Sequence, residues 1–158
     1  MRCLVTGGAG FIGSNIVEAL LDRGDEVVIL DNLSTGKRRN IEPFLGSGRC
    51  IFIEGTITDK PTCDRACEGI DHVFHEAALI SVPASIENPE STCDINIRGT
   101  LNVFLAAYET GVKRVVFASS TAVYGNPAML PNVETQPLNP LSPYAASKAS
   151  GEMLASAF

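Results

Sequence analysis

The first 31 residues, MRCLVTGGAGFIGSNIVEALLDRGDEVVILD, constrain the chain more than any other stretch. Cys3 to Val5 is a short apolar run of the kind a buried parallel strand requires. Gly7, Gly8, Gly10 and Gly13 follow within TGGAGFIGS. Ile16, Val17, Leu20 and Leu21 then recur at helical spacing, and Gly24 stops the helix. A second apolar run, Val27 to Leu30, ends at Asp31. The order is strand, glycine turn, helix, strand, acid.

That order suits a dinucleotide. A pyrophosphate is anionic and must lie against backbone. Gly7 and Gly10 have no Cβ, so the chain can turn tightly and admit it. The first N–H groups of the helix lack intrahelical acceptors, and the helix dipole adds partial positive charge behind them. Gly13 lets the helix pack close to the first strand. Asp31 can accept hydrogen bonds from both hydroxyls of an adenine ribose. The spacing is G-x-x-G-x-x-G rather than the commoner G-x-G-x-x-G, and glycine patterns also occur in ordinary tight turns. The flanking strands, with Asp31 18 residues past Gly13, supply the context that favours nucleotide binding. A carboxylate at Asp31 would repel a 2′-phosphate, which favours NAD over NADP. Lys37, Arg38 and Arg39 keep NADP open, although such a run is more simply a solvated loop.

Composition narrows the remaining classes. A length of 158 residues is about one domain, large enough to bury a core. The 45% hydrophobic and 19% charged contents are globular values. A formal net charge of -6 makes nucleic acid or an anionic membrane a poor partner. Neither a membrane span nor a signal peptide is expected. Cys3, Cys50, Cys63, Cys67 and Cys93 are odd in number and form no C-x-x-C, so reduced thiols in a cytoplasmic protein are expected and a metal site is not.

Further along, Arg49–Glu54 reads as a third strand, Asp71–Ala78 as a fourth and Arg114–Ser119 as a fifth. Pro61 opens a helix running to about Glu68; Glu90–Thr110 is a long helix ended by Gly111. Leu79–Pro89 and Pro127–Pro143 read as loops, and Ser142 with Pro143 begins a last helix running to the end. Strands alternating with helices predict an α/β fold: a Rossmann-type, doubly wound parallel sheet with helices on both faces, taken as a single NAD-binding domain over residues 1–158. The ligand crevice would collect the carboxyl ends of the first, fourth and fifth strands.

Two constellations carry chemistry. Tyr144 and Lys148, at i and i+4 in YAASK, share one helix face. A free tyrosine is a poor base at neutral pH, and a nearby ammonium favours its phenolate. The pairing is common by chance and alone means little. Ser119-Ser120-Thr121 ends the fifth strand, where hydroxyls would face the crevice; small residues at a strand-end turn explain it equally well.

Together the pieces TGGAGFIGS, DNLSTG, HEAA, NIRGT, FASSTAVYG and SPYAASK, in this order and spacing, resemble the extended short-chain dehydrogenase/reductases, and within them the NAD-dependent nucleotide-sugar epimerases of the UDP-glucose 4-epimerase type. The resemblance spans nearly the whole chain. It implies a bound NAD and inversion at C4 of a UDP-hexose, UDP-glucose/UDP-galactose or the N-acetyl forms, through a transient 4-keto sugar. Tyr144 would move the 4-hydroxyl proton, Lys148 would favour the phenolate and hold the nicotinamide ribose, and Ser120 would bridge the 4-oxygen. Cofactor contacts are implied for Gly7, Gly10, Phe11, Ile12, Gly13, Asp31, Asn32, Ser34, Thr35, Gly36, Thr56, Ile57, Ala77, Ala78, Leu79, Asn96, Tyr144 and Lys148. Substrate contacts are implied for Ser81, Ser120 and Tyr144. A homodimer through the 90–110 and 142–158 helices is also implied.

The sequence departs from its relatives in places. Thr56 stands where many carry an Asp touching adenine, and Ile95 where some carry Asn, leaving Asn96 to serve. Nucleotide-sugar dehydratases carry an Asp-Glu pair where this chain has Thr121-Ala122. Members of the family run to about twice this length, so a sixth strand and a C-terminal substrate-binding part are expected beyond Phe158. Another reaction on the same scaffold (reduction, dehydration or decarboxylation) and a non-catalytic NAD-binding module are the competing functions.

Overall fold

The computed structural model describes residues 1–127 and 130–158; Ala128 and Met129, within the expected 127–143 loop, lie outside the described residues. Five parallel strands form one sheet: β1 (Arg2–Thr6), β2 (Glu26–Asp31), β3 (Cys50–Glu54), β4 (His72–His75) and β5 (Arg114–Phe117), in the order β3-β2-β1-β4-β5. The direction of winding reverses between β1 and β4, where Thr6 pairs with His75, and a crevice opens beyond those strand ends.

Period-2 alternation sorts the side chains onto two covered faces. Cys3, Val5, Val27 and Ile29 pack under α1 (Phe11–Asp22), against Val17, Leu20 and Leu21. Leu4, Val28, Leu30 and Val73 face the other way, against α3 (Lys60–Cys67) and α6 (Thr100–Glu109). Asp59 caps α3 by accepting the Thr62 N–H at 3.1 Å, with proline in the first turn. A short helix, α2 (Glu42–Leu45), lies after β2. Burial pushes the Cys63 and Cys67 thiols on α3 up to about 12.

The structure corrects the expected elements in three places. Leu79–Pro89 is not all loop: it carries α4 (Val82–Glu87), whose first turn is capped by Ser81 accepting the Ala84 N–H at 3.2 Å. The long helix begins at Pro89 as α5 (Pro89–Cys93) and reaches α6 through a π-helical turn, Asp94–Gly99. β4 and β5 stop short of Ala78 and Ser119, because the chain there leaves the sheet to line the crevice. The last helix, α7 (Pro143–Ala155), starts as expected, with Ser142 accepting the Ala145 N–H at 3.1 Å. Among the described residues no helix is long and apolar enough to cross a membrane.

Gly13 shows how tightly α1 sits. A Cβ there would stand 2.3 Å from the Gly7 carbonyl oxygen. Helix propensity alone favours Ala over Gly by about 1 kcal/mol, so an unhindered helix would gain stability from Gly13→Ala. The contact reverses the sign: Gly13→Ala is expected to lower the urea midpoint, and a raised midpoint would refute the close packing.

Candidate active site

The turn Gly7–Gly10 passes over the ends of β1 and β4. Gly7 has φ +69°, and a Cβ on it would lie 2.7 Å from the Ala77 amide nitrogen. Glycine is required here for both backbone angle and space. Gly10 is the N-cap of α1 and supplies no side-chain cap, so the helix start keeps donors for an anion. An added Cβ at Gly10 would meet only the Gly7 carbonyl oxygen, at 3.1 Å. Phe11 and Ile12 stand exposed on the first turn, at 84% and 61%. An open, uncapped helix start beside a backbone-lined turn fits a pyrophosphate.

Asp31 is buried and does more than the sequence foretold. One oxygen accepts the Ala9 N–H at 2.9 Å and the other the Leu33 N–H at 2.8 Å. It thereby joins the glycine turn to the loop after β2. The Ala9 carbonyl closes the same junction, accepting from the Lys37 N–H at 2.9 Å and Asn40 Nδ2 at 2.8 Å. Gly36 leaves room beside the carboxylate, since a Cβ there would stand 2.9 Å from both oxygens. Each carboxylate oxygen retains acceptor capacity for a ribose hydroxyl. Asn32, Ser34 and Thr35 lie exposed on this loop, with Asn32 Oδ1 accepting the Ser34 N–H at 3.1 Å.

Thr56 and Ile57 follow β3. The Thr56 hydroxyl lies 2.9 Å from that of Thr58, and the Ile57 side chain is buried while its carbonyl accepts from Asn102 Nδ2 at 2.9 Å. Ala77, Ala78 and Leu79 follow β4. Asn96, from the π turn, is buried, and its amide grips the Leu79 backbone on both sides: Oδ1 accepts the N–H at 2.8 Å, Nδ2 donates to the C=O at 2.9 Å. Nδ2 also donates to Ser147 Oγ at 3.0 Å. Asn96 therefore bears on the crevice through Leu79. Ser81 stands exposed, its hydroxyl capping α4.

The catalytic candidates meet where α7 crosses the end of β5. Lys148 is 5% exposed; its ammonium donates to the Ala118 carbonyl at 2.7 Å and lies 5.0 Å from the centre of the Phe117 ring. Burial pushes its pKa down, with the Glu76 carboxylate acting against that. Ser120, two residues beyond Ala118, begins the 121–124 turn and accepts the Ala122 N–H at 3.2 Å. Its neighbour Ser119 instead donates to Glu152 on α7. Tyr144 lies one helical turn before Lys148 on the same face.

Beneath these groups sits His75, which the sequence offered only as part of a motif. Thr6 Oγ1 lies 2.6 Å from Nδ1, and Thr100 Oγ1 3.0 Å from Nε2. Thr6 Oγ1 also accepts the Ala77 N–H at 3.3 Å, and a neutral ring offers one nitrogen as donor and the other as acceptor to the two threonine hydroxyls. Burial, aided by the Lys148 charge, pushes the His75 pKa down to about 3. The neutral imidazole joins Thr6 on β1 to Thr100 on α6.

A family model described as "NAD dependent epimerase/dehydratase family" matches residues 3–158. The chain belongs to that family. It is 43% identical over 155 residues to a UDP-glucose 4-epimerase of Mycolicibacterium smegmatis, covering 97% of this chain and 50% of that one. The UDP-glucose 4-epimerase of Thermus thermophilus, solved with NAD, is 47% identical with a TM-score of 0.91, covering 99% of this chain and 50% of that one. A dTDP-glucose 4,6-dehydratase of Streptomyces venezuelae, also solved with NAD, is 41% identical with a TM-score of 0.94, covering 99% and 51%. The chain thus spans about half the length of the curated relatives it matches.

The geometry around β1 makes two predictions. Asp31→Ala leaves two backbone N–H groups without an acceptor, a cost of about 1–3 kcal/mol each when buried. The cofactor-free protein should therefore lose stability in urea, a loss that a purely ribose-binding aspartate would not cause. For His75, the unfolded chain takes up a proton near pH 6.5 while the folded chain resists to about 3. Its neutral form thus supports the fold fully above pH 6.5, and that support declines as pH falls toward 3. His75→Gln should flatten stability against pH across that window by up to one proton, about 1.4 kcal/mol per pH unit. An unchanged difference between the two proteins from pH 6.5 to 4 would refute the buried neutral ring.

Proposed function

We propose that this chain forms the cofactor-binding part of an NAD-dependent epimerase that inverts C4 of a UDP-hexose in the cytoplasm. The observation that carries the proposal is the buried Lys148 ammonium, one turn from Tyr144 and held at the end of β5 by the Ala118 carbonyl, two residues before Ser120. The glycine turn and the open start of α1 would hold the pyrophosphate, Asp31 the adenine ribose, and Lys148 the nicotinamide ribose. The loops at 32–36, 56–57 and 77–79 would wall the site. Bound there, NAD would supply a reversible hydride acceptor for the sugar C4.

The chain's own groups manage the proton. Tyr144, as phenolate, removes the 4-hydroxyl proton as the carbonyl forms and gives it back when the carbonyl is reduced. Ser120 donates a hydrogen bond to the 4-oxygen. In its ammonium form Lys148, on the same helix face, would favour the phenolate. No external reductant is consumed, because oxidation and reduction cancel within one cycle.

Dehydration is the strongest alternative, given the similarity to the Streptomyces dehydratase. Expelling a 6-hydroxyl requires an acid and a base beside Ser120. Positions 121 and 122 hold Thr and Ala, and the Ala122 N–H is taken by Ser120. Neither side chain can serve, which favours epimerisation. The loop AALISVPASIENP after β4 resembles that of UDP-glucose and UDP-N-acetylglucosamine 4-epimerases, which favours UDP-glucose/UDP-galactose or the N-acetyl pair as substrate. The homodimer implied by the same family resemblance would form through the 90–110 and 142–158 helices.

Incubation of the gene product carrying this chain with UDP-glucose, UDP-galactose and their N-acetyl forms tests the activity directly. Tyr144→Phe should abolish interconversion and leave NAD binding intact. Normal turnover in that variant would refute the mechanism; a 4-keto-6-deoxy product from the unaltered protein would move the assignment to dehydration.

A further inference from the structure

Both backbone polar groups of Tyr144 are held by buried serines. Its N–H donates to Ser85 Oγ at 3.1 Å, and its carbonyl accepts from Ser147 Oγ at 2.7 Å. Ser147 belongs to α7 itself. Ser85 comes from α4, 59 residues earlier, and is 1% exposed. It is the middle link of a short chain: it accepts from Tyr144 and donates its own proton to the Val82 carbonyl at 2.7 Å.

The position of that N–H explains why a partner is needed. Ser142 is the N-cap of α7, Pro143 has no N–H, and the Ser142 hydroxyl serves Ala145. Tyr144 therefore carries an orphan donor of the first turn, placed where the helix meets α4 rather than water. A Ser or Thr cap reaches only one such donor well. Ser85 supplies the missing acceptor from another helix. In doing so it fixes the residue that carries the phenol.

We propose that Ser85 is a positioning residue for Tyr144, setting where the phenol stands relative to Lys148 and Ser120; the catalytic part of this proposal rests on the epimerase reading. Removing the Ser85 hydroxyl frees the start of α7 by a fraction of an ångström to an ångström, and displacements on that scale cost catalysis more than binding.

The test is Ser85→Ala in the gene product that carries this chain, with Ser85→Cys as a near-isosteric variant whose sulfur is a poor acceptor. Amide exchange by NMR should accelerate at Tyr144 and stay unchanged at Ala145. The kcat should fall about tenfold or more, with KM for the sugar nucleotide and bound NAD unchanged. Asn88→Ala is the comparator: Asn88 caps α5 through the Ser91 N–H at 3.1 Å, so its loss lowers stability in the same region while the Ser85–Tyr144 hydrogen bond keeps both partners. Unchanged Tyr144 exchange in both Ser85 variants overturns the proposal. So does faster exchange with full kcat, or an equal loss of kcat in Asn88→Ala. A wild-type protein that interconverts no sugar nucleotide sinks the epimerase reading and the catalytic part with it, while amide exchange alone still decides whether Ser85 holds Tyr144.

Discussion

Backbone meets backbone where Gly7 lies against Gly13 on one side and Ala77 on the other, and neither contact admits a side chain. This contact brings α1 down onto the sheet and sets the end of β1 beside the end of β4. The crevice exists because of it. Asp31 then extends the arrangement sideways, since its two oxygens tie the same glycine turn to the loop after β2. Removing the glycines would displace the floor on which every other crevice group stands. The family match along residues 3–158 and the NAD-bound structures it resembles follow from a framework whose geometry is dictated by where Cβ atoms cannot be.

The reactive end is built by different physics. Around the glycine turn, space is made by leaving atoms out. Around Tyr144 and Lys148, position is fixed by satisfying polar atoms that the fold has buried. Ser85, Ser147 and Asn96 form a polar seam that binds α4, the π turn and the loop after β4 to α7. His75 does the same one layer deeper, bridging β1 to α6 through two threonines. Each link leaves a buried donor or acceptor stranded if it opens, which makes the seam stiff.

What could be read from the sequence was local. The glycine turn, Asp31, the Ser142-Pro143 helix start and the Tyr144/Lys148 spacing each declare themselves within a few residues, and the α1 face follows from period 3.6. What escaped depends on distant partners. α4 is only six residues long, and its buried serine answers to Tyr144, far along the chain. Ala77 and Ala78 suit a strand as well as a loop; what holds the loop beyond them is Asn96, 17 residues on, gripping Leu79. Asp31 was legible as an acid in the right place, while its two backbone partners were not, because neither is a side chain.

The π turn at Asp94–Gly99 has a consequence for how this stretch tolerates change. A π turn accommodates one residue more than an α-helical turn would. The widened turn takes up that residue within itself, so deleting one residue there would restore an unbroken α-helix and leave the helices on either side close to their present phase. The turn itself would change: Asn96 and Gly99, which meet Leu79 and Ile57 on separate sheet-end loops, would fall to α-helical spacing and lose that joint placement. The extra residue thus serves the crevice contacts and not the path of the helix.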